Sequence, residues 1–293
     1  MSEESLLILL SVITSGLLVG TLFAVVGAGL TLIHGTILLP QAANGQFFLG
    51  AGLLYWYFGT FLDWSPLLAV VAVFGIMAVV SLVVEATIIR RFYAFSNRSI
   101  LYLIVTLGLS QVLSGVYTGS FGKLNDTFQT NAPIPGMFII QPVPISYGRL
   151  TAFLLAVAVL VALIMFLRLN RLGRALRAVF QNRDVARLRG IDMRKMYRFS
   201  FLLGSMVTTA GGILYSLAFA FDLSLAWTMS LITFAIMIVG GPGSVTGALC
   251  VALVFGFTQS IVSVFADPTI ATFAYLLAML VMLFIKPSGL FLK

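Results

Sequence analysis

The sequence predicts an all-α fold, a polytopic transmembrane helical bundle of about eight to ten spans, on three observations. Of 293 residues, 60% are hydrophobic and 9% charged, and mean hydropathy is +1.11. A soluble domain carries about 25% charged residues because its surface meets water, so this chain is solvated by lipid. Apolar stretches recur at roughly the 20 residues a helix needs to cross hydrocarbon. Basic residues are confined to a few of the intervening loops, as in a membrane protein with a fixed orientation.

Nine stretches qualify, at about 6–32, 44–62, 67–89, 99–120, 150–168, 199–221, 224–240, 245–265 and 269–285. The segment at 224–240 is short enough to be re-entrant. With the N terminus outside, 15 of the 17 basic residues fall inside, and only Lys123 and Arg149 fall outside. Residues 1–293 thus read as one transmembrane domain with an external loop at 121–149 and a cytoplasmic loop at 169–198. The external loop carries Pro133, Pro135, Pro142 and Pro144, which suits an extended flap. Trp64-Ser65-Pro66 before one span and Asp267-Pro268 before another form a faint echo, of the kind left by inverted repeats in transporters.

Several function classes drop out. Cys250 is the only cysteine and His34 the only histidine, which leaves no intrachain disulfide and no basis for a His triad or a His/Cys metal centre. No catalytic set and no cofactor site is visible. Met1-Ser2-Glu3-Glu4 is acidic where a cleaved signal is basic, so the first span is expected to stay. A net charge of +8 would suit nucleic acid, but ten of the 17 basic residues lie between Arg168 and Arg198. That clustering fits a cytoplasmic loop beside lipid headgroups, and nucleic acid is excluded as a partner.

The predicted spans are almost free of ionisable residues, which usually mark ion or proton routes when present. Glu85 is the exception, and its place four to six residues before Arg90 and Arg91 predicts an ion pair near the cytoplasmic interface. Energy for transport must then come from elsewhere. Polarity inside the bundle is uncharged. In Leu38–Gly52, Pro40 breaks the helix and Gln41, Asn44, Gly45 and Gln46 follow. Irregular backbone at membrane depth must be buried in protein or line a cavity, so the stretch is either a tight interfacial turn or a broken helix along a solute path. Gln111 and Gln259 are further lining candidates, each equally readable as an interhelical hydrogen bond. Gly240-Gly241-Pro242-Gly243-Ser244 lacks the Lys-Ser/Thr ending of a P-loop and reads as a turn.

Within 169–198, Leu172, Ala175, Leu176, Val179 and Ala186 recur at helical spacing, with Arg171, Arg174, Arg177 and Arg187 mostly on other faces and Gly190 as a stop. The loop reads as a short amphipathic helix, lying on lipid headgroups or docking a cytoplasmic partner.

The run NRLGRALRAVFQNRDVARLRGIDMRK (170–195) resembles the cytoplasmic coupling segment of the branched-chain amino acid ABC permease family, with Gly173, Arg174, Ala178, Ala186, Gly190 and Ile191 at matching places. FLLGSMVTTAGGILY (201–215), GGPGSVTGA (240–248), KPSGLF (286–291), GLTLIHG (29–35), TLGLS (106–110) and Glu85 with Arg90 are similar to further parts of that family in the same order. Where the family has an Asn-Phe-Ala-His-Gly-Glu-like run, this chain has Gln41-Ala42-Ala43-Asn44-Gly45-Gln46, so amides replace titratable groups. Pro242 falls where the family has a bulky apolar residue.

The resemblance implies an inner-membrane permease subunit of an ATP-driven importer. Its partners would be a second permease, two cytoplasmic ABC ATPases and an extracytoplasmic solute-binding protein, and its solute a branched-chain or other amino acid. It assigns ATPase coupling to Gly173, Arg174, Ala175, Leu176, Ala178, Val179, Ala186 and Gly190. The rival reading is a stand-alone carrier or channel for a small uncharged solute such as urea or an amide.

Overall fold

The computed structural model describes residues 3–38, 41–92, 99–130, 137–140, 143–265, 268–286 and 289–290, with side chains for 9–38, 41–92, 100–130, 146–265, 270–286 and 289–290. Pro40, Pro133, Pro135, Pro142 and Asp267, singled out above, lie outside them. Helices α1 (Glu3–Ile37), α2 (Asn44–Thr60), α3 (Pro66–Thr87) and α4 (Ser99–Phe121) lead to a two-stranded antiparallel hairpin, β1 (Met137–Ile140) and β2 (Val143–Ser146). Then come α5 (Tyr147–Leu169), α6 (Arg171–Gln181), α7 (Arg183–Leu188), α8 (Met193–Ala218), α9 (Leu225–Gly240), α10 (Val245–Phe265) and α11 (Pro268–Ile285). Both halves of the echo noted above open with proline, Pro66 and Pro268, at the first helical position, where its missing N–H costs nothing.

Among the described residues, six helices are long and apolar enough to span a membrane: α1, α3, α4, α5, α8 and α10. The others that read as spans, α2, α9 and α11, have 17, 16 and 18 residues. This is a multi-pass membrane bundle. Exposed Leu67, Val71, Ile104, Val112, Leu154, Phe273 and Phe284 on its outer helices face what would be lipid.

The centre is α1 against α8, with α10, α9 and α5 around α1, and α2 and α3 against the other side of α8. α4 leans chiefly on α2, and α11 on α9 and α10. Small residues set these distances. A β-carbon at Gly256 of α10 would overlap the Cα of Gly20 on α1, and one at Gly29 of α1 would meet Thr208 on α8. Backbones in contact are how membrane helices gain packing without a hydrophobic drive between them.

Expected boundaries shift at three places. α1 runs to Ile37, five residues beyond the expected end, so the polar turn is confined to 38–43. Leu38, at its start, takes φ 52°, a left-handed conformation costly for a branched side chain. α8 starts at Met193 rather than 199. The 169–198 loop is two helices rather than one. Asn170, Asn182 and Asp192 each accept backbone N–H bonds at a helix start, from Leu172, from Asp184 and Val185, and from Arg194 and Lys195. The three caps start α6, α7 and α8 in turn. Gly190, after α7, has φ 81°, as a helix stop requires.

Candidate solute path and partner-facing element

Entry to α2 is both polar and buried. Gln41 and Asn44 are each 1% exposed and Gln46 5%, so residues 41–46 lie inside the bundle rather than at its edge. Asn44 Oδ1 accepts from the hydroxyl of Thr208, midway along α8, at 3.0 Å. The N–H of Gly45 donates to Ser230 Oγ on α9 at 3.1 Å, and that hydroxyl donates to the carbonyl of Ala42 at 3.2 Å. From α4, Thr106 accepts from the N–H of Ala42, and Tyr117 Oη donates to the carbonyl of Gln46. α2 therefore begins within the bundle, enclosed by α4, α8 and α9.

The contact leaves no room. A β-carbon at Gly45 would fall on the carbonyl oxygen of Ala226, so only glycine allows α2 to meet α9 there. Several polar atoms nevertheless stay unused. Both side-chain polar atoms of Gln41, Nδ2 of Asn44, Oε1 of Gln46 and Oγ of Ser205 are buried without a hydrogen-bond partner among the described residues. Each such atom costs about 1–3 kcal/mol relative to a bonded one, and native interiors hold few of them. Ser205, one turn before Thr208 on α8, was not signalled by the sequence, where it is one hydroxyl among many in a small-residue span.

Gln111 and Gln259 do not join this group. Gln111 is on the exposed side of α4. Gln259 on α10 accepts from Tyr275 Oη on α11 at 2.7 Å, the interhelical bond that was its other reading. Glu85 is also corrected. The cation beside its buried carboxylate is Arg198 on α8, Nε to Oε2 3.8 Å, while Arg90 and Arg91 are exposed. Sequence proximity favoured the arginines one turn on; the 3-10 turn at Ile89–Phe92 carries them away from the α3–α8 contact.

The basic segment presents a different face from the one expected. Gly173, Leu176, Val179 and Ala186 are buried and Ala175 and Ala178 half-buried, packed on this chain's own helices. An apolar stripe next to an apolar bundle is buried against it before any partner arrives. The outward face instead holds Arg174 and Arg177, then Val185, Arg187 and Leu188, the last 86% exposed. Arg183, which the sequence did not single out, is the tie to the interior. Its guanidinium donates to the carbonyl of Thr36, in the last turn of α1, and lies over the Tyr197 ring of α8 at 5.5 Å. Burial lowers its pKa from the usual arginine value, with Tyr197 and Asp184 opposing the shift. α7 is thus joined to the end of α1, and five residues beyond Thr36 stands Gln41.

A model of the family described as "Branched-chain amino acid transport system / permease component" matches residues 12–286. The chain belongs to that permease family. Among curated relatives, this permease is 25% identical over 292 residues to the high-affinity branched-chain amino acid transport system permease protein BraD of Pseudomonas aeruginosa, covering 95% of this chain and 94% of that one. It is 21% identical over 309 residues to LivH of Escherichia coli, of the same description, with 98% and 97% covered. A probable LivH of Methanocaldococcus jannaschii is 25% identical over 298 residues, with 95% and 91% covered. The permease also shares a fold with PsaBC of Streptococcus pneumoniae, solved in complex with Fab, at TM-score 0.50 and 13% identity over 96% of this chain and 92% of that one.

Proposed function

We propose that the chain is the membrane-spanning permease subunit of an ATP-driven amino acid importer in a bacterial inner membrane, with its solute path along the entry to α2. The family match over residues 12–286 carries the reading. Support comes from the bundle's two unlike ends. At one, α6 and α7 set five arginines next to the ends of α1 and α8; at the other, the hairpin precedes α5. Residues 169–198 are then cytoplasmic and 121–149 external, in accord with the bias of Lys and Arg toward the cytoplasm. The whole chain acts as one permease domain beside a second permease subunit, with two ATPases below and a solute-binding protein above.

In this reading the docking surface on each ATPase receives Leu188 and Val185 within a ring of arginines. Its movement is passed through α7 and Arg183 to the end of α1, and so to the Gln41–Gln46 stretch. Separation of α2 from α9 opens the path, a small shear of packed helices. The test is reconstitution of the permease with its partner subunits in vesicles. Accumulation of radiolabelled leucine that requires both ATP and the binding protein is expected. Uptake by the permease alone, without ATP, would instead favour a stand-alone carrier.

A further inference from the structure

The unused polar atoms at the start of α2 have a pattern of their own. They include donors (Asn44 Nδ2, Gln41 Nε2), acceptors (Gln41 Oε1, Gln46 Oε1) and a hydroxyl of either kind, Ser205. None is ionisable. They surround a helix N terminus whose cap position, Ala43, supplies no side-chain bond. Such an end carries about half a positive charge and favours an anionic group. A ligand with net charge would lack a counter-ion here and pay the full desolvation cost. A zwitterion has no net charge, yet offers a carboxylate to the donors and an ammonium to the acceptors.

We propose that the N terminus of α2, with the amides of Gln41, Asn44 and Gln46, is a transient binding site for the zwitterionic head of an α-amino acid, its carboxylate toward Asn44 and its ammonium toward Gln46. The proposal rests on the amino acid transport reading and adds the recognition chemistry. In the closed arrangement the site is occluded by the contact of Gly45 with Ala226. Transient parting of α2 from α9, which the permease alone samples and its partners drive during transport, admits the solute, which then satisfies the stranded atoms.

The test measures binding of radiolabelled leucine to the full-length permease alone in nanodiscs, so that its outcome does not depend on ATP-driven uptake. 4-Methylpentanamide, which keeps the side chain but has neither charge, is expected to compete at least about tenfold worse than leucine. 4-Methylpentanoate and 3-methylbutylamine, with one uncompensated charge each, should compete no better than the amide. Asn44→Asp should weaken leucine binding by roughly tenfold or more, because like charges face each other, whereas Gln46→Glu should hold it within about threefold or improve it. A merely structural role would make both carboxylates harmful alike. The proposal is overturned by equal loss in the two variants, by a neutral carboxamide that competes as well as leucine, or by no saturable leucine binding. Should Asn44→Asp fail to fold, the competition series on the wild-type protein decides alone.

Discussion

Gln41 and Gln259 are the same residue type in the same kind of bundle, with different fates. Gln259 takes the hydroxyl of Tyr275, and that pair fixes α10 to α11. Gln41 is more deeply buried but meets no partner among the described residues, so its cost is carried for something other than packing. Glu85 poses the same question with a charge. It is 3% exposed, and Arg198 approaches it from the solvent side. Removing the arginine takes a cation from a buried carboxylate, whereas removing the charge of Glu85 leaves an exposed arginine in water. Arg198→Ala should therefore destabilise the purified protein more than Glu85→Gln, by about 1–3 kcal/mol, seen as a lower Tm in detergent. Equal Tm values would mean that this pair contributes little. Which arginine serves Glu85 was not legible in the sequence, because Arg198 is more than a hundred residues away and Arg90 only five.

At the scale of elements, the informative contrast lies within one short segment. Periodicity found the helix in 169–198 and its apolar stripe, but not what the stripe touches. Spacing reports that a face is apolar; it does not say whether the chain itself or a partner covers it. Here Leu176 and Val179 are covered by the bundle, and Leu188 is left outside. The capping asparagines at 170 and 182 were readable as helix starts, and they explain why one predicted helix is two. The two faces predict opposite phenotypes. Leu176→Asp buries a charge under α6 and should cost several kcal/mol, so the permease itself should be lost or misassembled on size-exclusion chromatography. Leu188→Asp should leave the permease monodisperse while it no longer co-purifies with its ATPase. Full co-purification with Leu188→Asp would remove this face from the docking surface.

At the scale of the whole molecule, composition alone made the membrane bundle legible, and the nine apolar stretches reappear as helices α1–α5 and α8–α11. The proposed solute path was legible only as misplaced polarity. Its enclosure by α4, α8 and α9 joins residues from distant parts of the chain, which one-dimensional pattern cannot register. Orientation is testable with single cysteines in a Cys250→Ala background. Asn182→Cys and Asn125→Cys both stand at exposed positions, and an impermeant maleimide applied to whole cells should label 125 and spare 182; the reverse pattern would invert the topology. The glycine contact between α1 and α10 also has a consequence in time. Gly20 and Gly256 are sealed backbone to backbone, yet one is made near the beginning of synthesis and the other near its end. At roughly 5–20 residues per second, α1 waits on the order of ten to fifty seconds in the bilayer before its closest neighbour is translated. During that interval its glycine groove is open to lipid, insertase or protease, so a slow ribosome downstream of residue 37 would threaten this protein at its first helix.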